Sequence, residues 1–321
     1  MMFKKISLAF VSLLALAMVL AGCGSLGGGA DADPEEISML TGGTGGTYYP
    51  LGGEIATIMS DNTEKTVSAQ ASGASVENMQ TLQDGEADLA FTQTDIASYA
   101  VDGKLMFEDS ATDNVQAIGT LYPETIQIVV LKDSDIESVE DLKGKRVSIG
   151  DVGSGTAENA KQILEIHGLT LDDIKVENLA FDESTELMQD GDIDAAFITS
   201  GAPTGAVEGL SAQKPVRIVP VAADKAKELS DKYPFYAEDT IPAGTYGLEE
   251  DVETVAVLAM LVARADLSED AVYNLTKAFF DNVDGVKHAK GKLISPEKAL
   301  DGVGIDLHPG AEKYFKEEGL K

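Results

Sequence analysis

The chain has 321 residues, with 24 basic and 55 acidic side chains and a formal charge of −31. A field this acidic repels phosphate backbones and argues against nucleic-acid binding. With 44% hydrophobic and 25% charged residues, the composition is globular and long enough for one large domain or two lobes. The single cysteine, Cys23, excludes an internal disulfide framework and a thiolate zinc site. His167, His288 and His308 stand singly, so neither a metal nor a cofactor is expected.

At the N-terminus, Lys4 and Lys5 precede an apolar run from Ile6 to Ala21, followed by Gly22 and Cys23. The run falls short of the roughly 20 residues of a spanning helix. Leu20-Ala21-Gly22-Cys23 resembles the lipobox of bacterial lipoproteins, where cleavage before the cysteine leaves it as the lipidated N-terminus. Residues 1–22 therefore read as a lipoprotein signal peptide, Cys23 as a lipid anchor and residues 23–36 as a flexible tether. No later apolar run is long enough to span a bilayer, the best being Val255–Ala263. The expectation is a body outside the cytoplasm, held to the bacterial membrane by its lipid alone.

Two stretches of the body echo each other at an offset of 106 residues. Leu82–Asp95 reads LQDGEADLAFTQTD and Met188–Gly201 reads MQDGDIDAAFITSG. Upstream, Ile37–Thr41 leads into GGTGGT much as Val147–Asp151 leads into VGSGT. Each unit parses as strand, Gly/Ser/Thr loop, helix, strand, helix, strand. Leu51, Ile55, Ile58 and Met59 mark the first helix and Val67 the next strand; Ala160, Ile163 and Leu164 mark the second helix and Val176–Phe181 its strand. Gly85 and Gly191 close the second helix of each unit, and Asp88 and Asp194 lead into the strand that follows. Alternating strands and helices predict α/β units with parallel sheets and right-handed crossovers, and two copies predict two lobes.

Ligands of open parallel sheets sit beyond the carboxyl ends of the strands, so the loop after each first strand is a candidate binding element. The first, TGGTGGTYY over Thr41–Tyr49, lets backbone N–H groups approach a ligand at a helix start. It lacks the third glycine of a dinucleotide fingerprint and the Gly-Lys-Ser/Thr of a phosphate-binding loop. The second is Gly153-Ser154-Gly155-Thr156, with Asn159 one turn on and Glu158 placed to repel an anion if it faced the cleft. Ser72–Ser75 is a third hydroxyl-rich turn. Gln93, Thr94 and Asp95 follow the third strand, with Thr199, Ser200 and Gly201 as counterparts. Arginine is scarce: Arg146 precedes its strand, away from the cleft, and Arg217 lies in the apolar run Pro215–Val221. Hydroxyls, backbone amides and helix ends are therefore expected to hold the ligand, with Arg217 or a lysine as a helper. Asp190, Asp192 and Asp194 imitate a calcium loop but lack its glycine and closing glutamate. No G-x-S-x-G or H-E-x-x-H motif is present, and no base–nucleophile set assembles, so the chain reads as a non-enzyme.

TGGTGGTYYPLGGEIA, SGASVENMQTLQDGEADLAFTQTD, LKGKRVSIGDVGSGT, IPAGTYG and LHPGAEKYFKEEG, in order from about Ile37 to Lys321, closely resemble the TAXI family. These are the extracytoplasmic solute receptors of one class of TRAP transporters. The resemblance implies a two-lobed α/β fold like that of type II periplasmic binding proteins, with doubly wound, mostly parallel sheets joined by two crossing hinge strands. These crossings are expected near Ile126–Leu131 and Val255–Ala263. Residues 37–125 with 264–321 would form lobe 1, and residues 126–263 lobe 2. It implies capture of a small carboxylate, a glutamate-like amino acid or a 2-oxo or dicarboxylic acid, and delivery to a sodium-coupled TRAP permease. Carried over residue by residue, Thr44, Gly46, Thr47, Tyr48, Ser75, Gln93, Ser154 and Thr156 would line the site. Thr199 joins them from the echo, and Tyr122 and Tyr246 stand near the presumed crossings. A sensory receptor for a signalling partner and an extracellular α/β enzyme are the alternative classes.

Overall fold

The computed structural model describes residues 33–321; the expected signal peptide, Cys23 and most of the tether lie outside them. Among the described residues, no helix is long and apolar enough to cross a membrane. The first unit comprises β1 (Glu36–Leu40), α1 (Tyr48–Asp61), β2 (Thr66–Gln70), α2 (Ser75–Gln83), β3 (Leu89–Gln93) and α3 (Thr94–Asp102). A 17-residue strand, β4 (Val115–Leu131), leads to the second: β5 (Arg146–Ser148), α4 (Gly155–Ile166), β6 (Lys175–Glu177), α5 (Phe181–Asp190) and β7 (Ala195–Ser200). There follow α6 (Gly205–Ser211), β8 (Val216–Val219), α7 (Ala223–Lys232), β9 (Ala237–Ile241) and β10 (Val252–Arg264). Two helices, α8 (Glu269–Phe280) and α9 (Pro309–Glu317), end the chain.

The expected α/β class is the one observed. The strands lie in one continuous sheet of order β2-β1-β3-β10-β4-β7-β5-β6, with β8 on β4 and β9 on β10. Its ends, β2-β1-β3 and β6-β5-β7, are parallel, and the joins through β10 and β4 are antiparallel. Helices cover both faces at each end. On one side of the β1 end α1, α8 and α9 bury Leu51, Ile55, Met59, Phe279 and Phe315; on the other α2 and α3 bury Met79, Leu82, Ile96 and Ala100. At the β5 end, α4 and α7 bury Ile163, Leu164 and Leu229, and α5 and α6 bury Met188, Val207 and Leu210.

The echo has a structural meaning at each position. Phe91 and Phe197 are fully buried, one in each half's core, where each contributes about 1.5–3 kcal/mol of apolar burial. Gly85 and Gly191 take positive φ (+72° and +83°) after their helices, as the helix-closing role requires. The Asp88 carboxylate accepts the Ser38 N–H at 2.9 Å, and Asp194 accepts the Arg146 N–H at 2.7 Å, so each aspartate pins β1 or β5 to the start of its neighbour. The expected strand Val176–Phe181 is shorter: β6 is an edge strand that pairs only with β5 and ends at Glu177, and Phe181 opens α5.

The first crossing strand starts well before the apolar run expected for it. Leu121 and Tyr122 of β4 pack in one core and Ile126 and Ile128 in another; in β10, Val255 and Val257 pack with the latter and Ala259 and Leu261 with the former. Between these groups the β4–β10 register shifts: Leu258 faces Pro123, but Met260 faces Thr120. An extra residue on one strand bends it locally, and Pro123 removes a ladder donor at the same point.

Candidate functional site

Two parallel triplets, β1–β3 and β5–β7, run toward each other and bring their C-terminal ends and following loops to one place. A cavity is lined by Gly42, Gly46, Thr47 and Tyr48 after β1, Ser72–Ser75 after β2, and Gln93 at the end of β3. From the other half come Asp151, Ser154, Gly155 and Thr156 after β5, Ala180 and Phe181 after β6, and Thr199 and Ser200 of β7. Glu124 of β4 completes the wall at the crossing. The cavity measures about 50 Å³, room for water rather than for a metabolite, since ligand pockets run to roughly 300 Å³ or more. The halves are thus drawn together on a polar seam.

Helix starts cluster at this cavity. α1, α2, α4 and α5 begin at lining residues, and α3 follows Gln93 directly. The cap residues of α1, α2, α3 and α5 (Thr47, Ala74, Gln93 and Ala180) make no side-chain cap bond; only Ser154 caps α4, accepting from Ala157 N–H. Backbone donors at such ends need partners and favour negative charge. Part of the need is met across the seam. The Gly153 carbonyl accepts from Val76 and Glu77 N–H at 2.9 and 3.1 Å, and the Gly45 carbonyl accepts from Ala206 N–H at 3.1 Å. Ser200 Oγ accepts from Thr47 N–H at 3.1 Å and donates to Thr47 Oγ1 at 3.0 Å. Thr44 Oγ1 donates to Asp182 at 2.9 Å on the rim.

Asn159, buried in α4, is the node of this seam. Its Oδ1 accepts from Gln93 Nε2 at 3.1 Å and from Thr199 Oγ1 at 3.0 Å, so the two residues matched by the echo meet on one atom. Its Nδ2 donates to Asp95 Oδ2 at 3.1 Å and to the Tyr236 hydroxyl at 2.8 Å. Gln93 Oε1 and Asp95 Oδ1 are buried without hydrogen-bond partners.

Burial pushes the Asp95 carboxyl up to about 7, opposed in part by hydrogen bonds that include the one from Asn159. A carboxyl raised in the closed form and ordinary in an open one makes closure weaken as pH rises from the usual carboxylate range to about 7. The closed form is therefore expected to be more populated at pH 5.5 than at pH 8. The radius of gyration from small-angle scattering reads this directly; Asp95→Asn should reduce the difference, and an equal radius at both pH values in the native protein would refute it.

Of the residues singled out from the sequence, Gly46, Thr47, Tyr48, Ser75, Gln93, Ser154, Thr156 and Thr199 line the cavity together. Thr44 stands outside the lining, on the rim. Tyr122 lies in the β1-side core, with its hydroxyl buried and unpartnered. Tyr246 is elsewhere: its hydroxyl donates to Gln127 Oε1 at 2.6 Å and accepts from Thr204 N–H, bracing the turn after β7. Arg217 is not a helper at this site; it points to the Ser134 carbonyl and lines a separate surface groove. No lysine, arginine or histidine is among the lining residues. Glu158 stands outside the lining, bonded to Lys161 at 3.2 Å. Sequence reasoning missed Glu124 and Phe181. A lone glutamate beside a proline within the apolar strand Gly119–Leu131 was the available signal for the first; the loop after an edge strand gave none for the second.

Solved structures are similar at low identity. A protein from Bordetella bronchiseptica is 18% identical with a TM-score of 0.55, covering 88% of this chain and 82% of its own. The alkanesulfonate-binding protein SsuA from Xanthomonas axonopodis pv. citri, bound to MOPS, is 14% identical (TM-score 0.49, 89% of this chain and 84% of that one). A binding protein component of an ABC phosphonate transporter from Pseudomonas aeruginosa is also 14% identical (TM-score 0.49, 81% and 78%). Residues 39–319 match the model of the NMT1-like family, and the chain belongs to that family.

Proposed function

We propose that this chain is a non-catalytic solute receptor acting outside the cytoplasm, which captures a small carboxylate between two lobes and hands it to a membrane permease. The observation that carries this reading is the convergence of uncapped helix starts and strand ends from two separately cored halves on one cavity. Fixed N–H donors at helix ends suit a carboxylate without requiring a cationic side chain. The lobes follow the division into 37–125 with 264–321 and 126–263, except that Ala259–Ala263 belongs with the lobe 1 core, and they hinge at the bulged stretch around Pro123 and Leu258. Solute bound between the lobes favours closure through its higher affinity for the closed form. The resemblance to TAXI receptors supports a TRAP permease as partner and the carboxylate class, and the lipobox supports anchoring through Cys23.

A thermal-shift panel on the body from Asp31 onward tests this, with glutamate, glutamine, 2-oxoglutarate, succinate, taurine and a nucleotide. A ligand at a hundred times its Kd adds about 2.7 kcal/mol of stability. A shift with a carboxylate supports the reading; a shift with taurine or the nucleotide alone replaces the solute class. In Thr47→Ala combined with Thr156→Ala, loss of two hydroxyls worth about 1 kcal/mol each should weaken that carboxylate roughly 10- to 30-fold while the fold survives. Unchanged affinity, measured by calorimetry, would exclude these helix starts from the site.

A further inference from the structure

The cavity wall contains an acid and no base. Glu124 is 2% exposed, lies at the crossing of β4 and lines the cavity, yet no lysine, arginine or histidine shares that lining. Every ionisable group facing it is acidic or phenolic. Tyr48 of α1 donates its hydroxyl proton to Glu124 Oε2 at 2.5 Å, Tyr122 is its neighbour on β4, Asp95 of α3 repels its charge, and Asp151 lines the same cavity from the loop after β5. The residue opposite on β10 is Val257, and the β7 residues at the wall are Thr199 and Ser200. Lys290, whose stem lies against Gly201, is outside the lining. A solute carboxylate seated on the helix starts would meet a second negative charge at Glu124 with nothing to offset it.

We propose that Glu124 sets the charge that this cleft accepts: it enters the closed site as a neutral carboxylic acid, so that capture of an anionic solute takes up one proton at Glu124. This rests on the carboxylate reading above. Oε2 already accepts from Tyr48, which leaves Oε1 to carry the proton and to donate it in a hydrogen bond to a solute oxygen. The proton comes from solvent as the lobes close, and no covalent bond to the solute forms. Burial raises the carboxyl well above the usual carboxylate range, the bond from Tyr48 offsets this only in part, and Asp95 adds to the rise. In an open cleft the same carboxyl is hydrated and ionised at neutral pH. Affinity should therefore fall about tenfold per pH unit between the open and closed ranges.

The test is calorimetry of the full chain with L-glutamate, 2-oxoglutarate and succinate from pH 6 to 8.5, in pairs of buffers that differ in ionisation enthalpy. Glu124→Gln keeps an acceptor for Tyr48 and an N–H donor but cannot take a proton. For any solute that binds, the native protein should take up about one proton more than Glu124→Gln, and at pH 8 the variant should bind at least tenfold tighter. Asp95 contributes equally to both proteins and cancels in the difference. Equal proton uptake in both overturns the proposal, as does proton release, which would mean that a solute ammonium sits on an ionised Glu124. Binding of none of the three solutes would instead overturn the carboxylate reading and this inference with it, a result distinct from binding without a difference.

Discussion

Asn159→Ala is expected to lower the stability of the solute-free protein by about 2 kcal/mol and to weaken solute capture most among the buried polar positions. The side chain makes four hydrogen bonds, to Gln93, Thr199, Asp95 and Tyr236. Each is worth about 1 kcal/mol net, and the partners left behind are buried groups that lose more when unpaired. Two of the four, those to Gln93 and Asp95, cross between the halves, so their loss acts on closure rather than on the α4 side alone. Denaturant unfolding without solute should report the loss of the bonds to Thr199 and Tyr236, and solute affinity should fall by roughly 30-fold from the two crossing bonds. Asn159→Asp retains Oδ1 as an acceptor for Gln93 and Thr199 but sets a second carboxyl against Asp95. It should recover part of the capture below pH 6 and little at pH 8. An alanine variant with native affinity would remove Asn159 from the closing machinery.

Gly155→Ala separates folding from closing. Gly155 opens α4 with no positive φ, so alanine suits the helix and should leave stability unchanged or raise it by up to about 1 kcal/mol. In the closed form, however, the new methyl would run into the Gln93 side-chain amide, with Ile96 Cγ1 at 3.0 Å behind it. Gln93 is 2% exposed and held through Nε2 by Asn159, so it has little room to yield. The expected result is a native melting curve without solute, loss of affinity of about 100-fold, and a larger radius of gyration in the presence of solute. An alanine variant that binds and compacts like the native protein would show that the halves do not close along this seam. The prediction depends on geometry across the cavity, which makes it a direct test of the two-lobe reading.

Much of the fold was legible because its signals are local. The helical spacing of Leu51, Ile55 and Met59, the glycines after the second helix of each unit, and the aspartates that open β3 and β7 act within a few residues of themselves. Short-range sterics and one or two hydrogen bonds decide them. The echo was legible for the same reason: DGEADLAF and DGDIDAAF repeat a helix stop, a strand start and a core phenylalanine. Cavity-lining elements were legible where their position and local conformation coincide, as at the Gly/Thr loop before α1 and at Ser154-Gly155-Thr156, because a loop that brings backbone donors to a cavity must be made of small residues.

What the tertiary structure alone decided concerns pairs distant in the chain. Gln93 and Thr199 converge on Asn159, and Gly155 has no room for a methyl because Gln93 arrives from the other half. Tyr246 reads as a cleft residue by its place near a crossing, yet folds away to brace Thr204. Glu124 looks like a polar interruption in an apolar strand, and Phe181 like the end of a strand that stops at Glu177. The physical reason is common to all five. A side chain's burial, charge state and partners depend on which surfaces the sheet order brings together, and that order is set by the summed packing of both halves around β4 and β10. Local sequence determined the elements and the chemistry on offer; the crossing of two long strands determined which of that chemistry meets in the cleft.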